Sequence, residues 1–139
     1  MERINMKRVL MGGLLAGLVI NASEFVLNTF VVGADMAAQM TKFGLPLIGP
    51  SQIAIFILFG FVEGFILAWL YAAVRPRLGP GSVTATKIGI LVWFLASLYG
   101  GVSIAITGLM PANMMMVTVA WGFVELIVAA NAGAYFYRE

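Results

Sequence analysis

Gly60-Phe61-Val62-Glu63 sits in the middle of an apolar run from Gln52 to Val74, and Gly122-Phe123-Val124-Glu125 repeats the phrase inside the run from Ala112 to Tyr137. Each run is long enough for the ~20 residues that a helix needs to cross a bilayer. Each carries a carboxylate near its centre. An ionisable side chain at that depth costs ~3 kcal/mol on insertion scales and ~10 kcal/mol or more in simulation. Two such acids in matching surroundings require partners elsewhere in the chain.

Working outward, runs from Val9 to Val32 and from Thr86 to Leu109 bring the number of candidate crossings to four. Of the 139 residues 62% are hydrophobic and 10% charged, with a mean hydropathy of +1.01. A soluble domain carries about 25% charged residues, so the solvent for most of this surface is lipid. The spacing predicts an all-α membrane protein, a single four-helix transmembrane domain over residues 1–139, with helices at about 9–32, 52–74, 86–109 and 112–137. A cleavable signal peptide ending near Ala22 is the rival reading of the first run. It is set aside because the apolar character resumes at Phe25 and completes a span.

Four crossings place both termini on one side. That side gathers Arg3, Lys7, Arg8, Arg75, Arg77, Lys87 and Arg138, whereas Lys42 stands at the other. By the positive-inside rule the termini are expected in the cytoplasm, and the protein in the bacterial cytoplasmic (inner) membrane as a multi-pass protein. The repeated phrase falls on two helices of the same direction. It suggests a duplicated helical hairpin, although the first and third runs align poorly.

The connections are read from their breakers. Between Gly33 and Ser51, Asp35 is placed to cap a short helix with Met36, Met40 and Phe43 on one face, suited to the membrane interface; an ordered loop fits equally. Ser51 is the expected cap of the second helix, and Ser82 or Thr84 that of the third. Gly108 and Pro111 allow only a short connection into the fourth.

All four helices carry a small or polar seam. The first has Gly13, Gly17, Asn21, Glu24 and Asn28 in a three-four rhythm, which makes one stripe. The second offers Gly60, Glu63, Gly64 and Leu67, and the fourth Gly122, Glu125, Ala129 and Gly133. On the third the stripe reads Gly89, Trp93, Ala96, Gly100, Ser103 and Thr107, with Ser97 and Tyr99 nearby. Gly13, Gly17, Gly60, Gly64, Gly100, Gly122 and Gly133 are the expected helix-packing glycines, because glycine lets backbones approach closely. Asn131 lies off the Glu125 face and suits contact with a partner subunit.

At ~1.5 Å rise per residue, Glu63, Glu125 and Asn21 fall near one level and Glu24 somewhat toward the outside. No Lys or Arg shares that level. Carboxylates crowded in low dielectric do not all ionise, so protons or a cation are expected among them. Glu24, Glu63 and Glu125, with Asn21 and Asn28, are therefore either hydrogen-bonded structural groups, a proton or cation site, or ligands to a bound cofactor. Gln would serve the purely structural task without the liability of ionisation, which tilts three Glu toward something more.

Chemistry of other kinds is thinly represented. The chain has no Cys and no His, which removes disulfides, thiolate sites and the commonest metal and haem ligand. Met114, Met115 and Met116 read as adaptable packing. No metal site and no catalytic residue are expected. The few basic residues lie at helix ends, so no nucleic-acid partner is expected either.

Several stretches carry a family likeness: Lys7-Arg8-Val9-Leu10 before glycines, Asn21 with Glu24, Leu70-Tyr71-Ala72-Ala73-Val74-Arg75-Pro76 followed by Gly79-Pro80-Gly81, and Trp121-Gly122-Phe123-Val124-Glu125 with Tyr137-Arg138-Glu139. With these the chain resembles small four-helix integral membrane proteins of bacteria, a family of uncharacterised function. The resemblance implies the architecture and no activity. Small multidrug transporters share four helices and a membrane carboxylate, a likeness of architecture alone.

The expected function is non-enzymatic: an oligomerising or accessory subunit of a membrane assembly with a buried glutamate and asparagine core. The alternative is a small proton- or cation-coupled carrier or channel using Glu63 and Glu125. Membrane lipids and either further copies or a larger membrane complex are the expected partners. No cofactor is expected, while a bound lipid or hydrophobic small molecule is compatible with Trp93, Tyr99 and Trp121.

Overall fold

A computed structural model of the chain describes residues 3–137; Arg138 and Glu139, part of the basic end read above, lie outside the described residues. Four helices, Met6–Val31, Pro50–Leu78, Ser82–Thr107 and Ala112–Tyr135, are long and apolar enough to span a membrane. A shorter helix, Gly33–Lys42, joins the first of them to the second. There is no strand among the described residues. Lipid offers the backbone no hydrogen bonds, so an apolar chain of this kind satisfies its amides within each helix. Of the most apolar stretch of each long helix 17 to 33% is buried, which leaves the Leu, Ile, Val and Phe faces for hydrocarbon.

Helix ends follow local chemistry and differ in places from the sequence reading. The Asn5 side chain caps the first helix by accepting from the Arg8 amide at 3.2 Å. The second is capped at Gly49, not Ser51: Pro50 opens it with a preset φ, and the Gln52 side chain accepts from the Gly49 amide at 3.1 Å. That helix also runs past Pro76 to Leu78, because a proline in the last turn forfeits one hydrogen bond and little else. Gly81, at φ +110°, precedes the third helix. Thr84 is not its cap; its hydroxyl donates back to the carbonyls of Leu78 at 3.2 Å and Gly79 at 2.8 Å, closing the turn. Gly108, at φ +72°, ends the third helix and Pro111 precedes the fourth. Asp35 stands in the first turn of the connecting helix, which starts at Gly33 after Val32.

The first helix is the hub of the bundle. It packs against the second on one side and the fourth on another, and the third packs chiefly on the fourth. Its two buried faces have different composition. Gly13 and Gly17 meet the second helix so closely that a methyl group on either would stand 2.8 Å from the Cα of Phe65 or Phe61. A methyl on Gly64 would stand 2.6 Å from the Gly13 carbonyl oxygen. Val9, Gly12, Ala16, Ile20 and Leu27 are buried on the other face, where a methyl on Gly12 would stand 2.5 Å from the Gly133 carbonyl oxygen.

The first and last described residues lie at one end of the bundle. The Asn5 amide donates to the Tyr137 hydroxyl at 2.9 Å, and the Tyr137 ring meets Tyr71 edge-on and lies 5.6 Å from the Arg75 guanidinium carbon. The Tyr71 hydroxyl in turn accepts from the Gly81 amide at 2.9 Å.

The two hairpins repeat each other's contacts in register. Gly60 faces Asn21 and Gly122 faces Ser97. Phe61 lies over Gly17, and Phe123 meets Trp93 edge-on with ring centroids 5.0 Å apart. Phe65 faces Gly13 and Ile127 faces Gly89. In each case the step from the first helix to the third is 76 residues (13 to 89, 17 to 93, 21 to 97), and from the second to the fourth 62 (60 to 122, 61 to 123, 65 to 127). The same steps carry Met6 to Ser82, Val31 to Thr107 and Pro50 to Ala112, the helix ends.

Candidate functional site

The first, second and fourth helices bring their acids together. The Glu125 side chain is buried, and Ser23 and Glu24 of the first helix and Glu63 of the second stand near enough to its carboxyl to interact electrostatically. Glu63 also feels Glu24. Packing explains the convergence: the glycine contacts press the first and second helices together below Asn21, and Gly12 seats against Gly133 on the fourth. The three carboxyls thus share one region of the bundle. One oxygen, Oε2 of Glu125, is buried and has no hydrogen-bond partner.

The asparagines play unlike parts. The Asn21 amide donates to the Gly17 carbonyl at 2.9 Å and to the Ile57 carbonyl at 3.2 Å, bridging the first helix to the second. Asn28 is exposed and donates to the carboxylate of Glu24 at 2.7 Å and to its carbonyl at 2.8 Å. Asn131 is half-buried and is engaged within the chain: its amide donates to the Thr86 hydroxyl at 3.1 Å, linking the fourth helix to the third.

Glu24 also lines a pocket of about 170 Å³ at the end of the bundle opposite the termini. Asn28, Ser97, Thr118 and Gly122 supply the rest of its polar wall, and Val32 and Met36 of the connecting segment border it. At ~30 Å³ per water, that is room for about six waters. On the other side of the acids lies a layer of buried apolar side chains, Ile20, Leu67, Ile88, Val92, Leu126, Ala129 and Ala130 among them. Glu24 therefore borders a pocket of mixed polar and apolar lining, and buried apolar side chains lie on the other flank of the acids. Among the described residues, no three acidic, His or Cys side chains stand close enough together to chelate a metal ion.

No family model, no curated protein and no solved structure matches this chain. Its chemistry is read from the arrangement alone.

Gly13, Gly17, Gly60, Gly64, Gly122 and Gly133 all stand at close helix contacts. Gly100 does not: open space surrounds it, and its neighbour Gly101 takes the contact, against Val119. The cause is a π-helical turn over Phe94–Leu98. One extra residue in the turn rotates everything beyond it, so the packed face runs Gly89, Trp93, Ser97, Gly101 and Ala105 in steps of four. Ala96, Ser103 and Thr107 are exposed instead.

Ser23 is not among the residues the sequence singles out, and Trp121 stands out there as an aromatic compatible with a bound lipid or small molecule. The signal lay in two overlapping periodicities. Ser23 continues the line Val9, Gly12, Ala16 and Ile20 toward the fourth helix, and Trp121 precedes Glu125 by four. The indole N–H of Trp121 donates to the Ser23 hydroxyl at 2.8 Å. The Trp93 indole donates to the Val119 carbonyl at 2.8 Å, whereas Tyr99 is exposed. A larger, apolar groove of about 500 Å³ runs between the third and fourth helices, walled by Trp93, Val102, Met115, Met116 and Phe123.

Proposed function

We propose that this chain is a non-enzymatic, multi-pass protein of the bacterial cytoplasmic membrane, with cytoplasmic termini, that works as a subunit of a homo-oligomer or of a larger membrane assembly. It is to be grouped with the small four-helix membrane proteins it resembles, and we take the two hairpins to be copies of one ancestral hairpin. The register of equivalent contacts supports the duplication.

The observation that carries the subunit reading is the unused seam of the third helix. Ala96, Gly100, Ser103 and Thr107 form a small, weakly polar stripe, and open space surrounds Gly100. Elsewhere in this molecule stripes of that composition are where helices meet, as Gly13, Gly17 and Gly64 do. Between helices in lipid, association comes from close packing and hydrogen bonding, not from the hydrophobic effect. A stripe that permits both is suited to a neighbouring helix. The second helix points the same way, since every residue over 51–59 is exposed.

The chain's lack of Cys makes the test direct. Ser103→Cys, oxidised or bridged with a short bis-maleimide in intact membranes, is expected to give a species heavier than the monomer. Leu91→Cys, on the same helix off the seam, is expected to stay monomeric. Monomer alone from Ser103→Cys, together with monomer alone in native mass spectrometry from lipid nanodiscs, would overturn the proposal.

A further inference from the structure

We propose that the pocket and the acids behind it form a binding site for an alkali-metal cation, reached from the end of the bundle opposite the termini, with Glu24 at the mouth and Glu125 as the inner ligand. The starting observation is the Glu125 Oε2 atom, buried without a hydrogen-bond partner in a side chain 8% exposed. A buried polar atom without a partner is expensive, and a charged one more so. The charged neighbours increase the demand for positive charge, since Glu24 and Glu63 are the titratable groups facing Glu125 from the first and second helices, while Ser23 beside it is a neutral hydroxyl. Ser97 faces the region from the third and is neutral.

The donors around this space are oxygens of carboxylates, hydroxyls and side-chain amides, contributed by Glu24, Asn28, Ser97 and Thr118 in the pocket and by Ser23 beside Glu125. Oxygen-only surroundings select hard cations over soft ones. The absence, among the described residues, of any three-acid chelating group argues against a divalent ion, which draws on several carboxylates at once. A monovalent ion needs less charge and accepts neutral oxygens in its shell. The apolar layer of Leu67, Ile88 and Leu126 closes the other flank, so this arrangement is a one-sided site, not an open pore. Binding here is independent of whether the chain self-associates.

The test uses the full chain in lipid nanodiscs, with sodium as the probe and choline as the ionic-strength control. Retention of ²²Na⁺ should saturate, and Trp121 fluorescence should change over the same range through the bond to Ser23. Half-saturation should rise about tenfold for each unit of falling pH wherever one proton is displaced per ion. Glu125→Gln, which keeps the shape, should abolish retention, and Glu24→Gln at the partly exposed mouth should weaken it at least tenfold. Should Glu125→Gln fail to fold, Glu24→Gln alone decides. Wild type without saturable ²²Na⁺ retention, or retention unchanged in Glu24→Gln, would overturn the site; in the first case the acids hold protons only.

Discussion

The Trp121 indole nitrogen and the Ser23 hydroxyl oxygen lie 2.8 Å apart, joining residues 98 positions distant in the chain beside the Glu125 carboxyl. The bond ties the fourth helix to the first at the level of the acids. Ser23 also stands near the Glu125 carboxyl, so the indole donor and the acid meet the same short side chain.

Trp121→Phe removes the donor and keeps most of the ring. Interhelical hydrogen bonds in membranes contribute about 0.6 to 2 kcal/mol, and a loss within that range is expected. Reversible unfolding in mixed micelles measures it. If Ser23→Ala and the double variant Ser23→Ala with Trp121→Phe both match the single loss, the two residues act as one unit.

Glycine contacts should divide sharply along the π-turn. Gly64→Ala places a methyl against the Gly13 carbonyl and the backbone of Gly17, neither of which can move aside without separating the helices. Overpacking of that kind costs about 1 to 3 kcal/mol. Gly100→Ala meets open space within the chain and should leave the stability of the detergent-dispersed monomer unchanged or slightly raised, given a helix propensity gain of about 1 kcal/mol at most. Thermal denaturation of the two purified variants beside wild type separates them. Similar destabilisation by both would show that the third helix does not carry its π-turn.

Thr84 is 1% exposed and its hydroxyl serves two carbonyls of the Leu78–Gly79 turn. Thr84→Val preserves shape and removes the donor, leaving those carbonyls without this partner. A loss of about 1 to 3 kcal/mol is expected. Unfolding equilibria in mixed micelles report it, and loosening of the turn should appear as faster hydrogen exchange at the Gly81 amide, which the Tyr71 hydroxyl now holds.

Orientation is testable on the same cysteine-free background. With cytoplasmic termini, Thr41→Cys on the connecting helix should react with an impermeant maleimide in spheroplasts. Ser82→Cys, the first residue of the third helix, should react only after lysis. The reverse labelling pattern would invert the topology while leaving the bundle as described.

Hydropathy and breaker residues by themselves determined the four helices long and apolar enough to cross a membrane, because a backbone in lipid has to satisfy its own amides and twenty apolar residues leave it little choice but a helix. The depth of Glu63, Glu125 and Asn21 followed from counting residues along those helices. What tertiary structure alone decided is which faces meet. The first helix has two buried faces, and the sequence reading followed only the one through Gly13 and Gly17; Ser23 lies on the other, found once the fourth helix is packed against it. A uniform 3.6 residues per turn would put Gly100 on the packed face of the third helix, and the π-turn over Phe94–Leu98 exchanges it for Gly101. The equivalence of the first and third helices was invisible in composition, since Gly17 corresponds to Trp93 and Asn21 to Ser97. Those residues share neither size nor chemistry. They share a position against the same repeated phrase, and position is set by how helices pack, not by which side chain each one carries there.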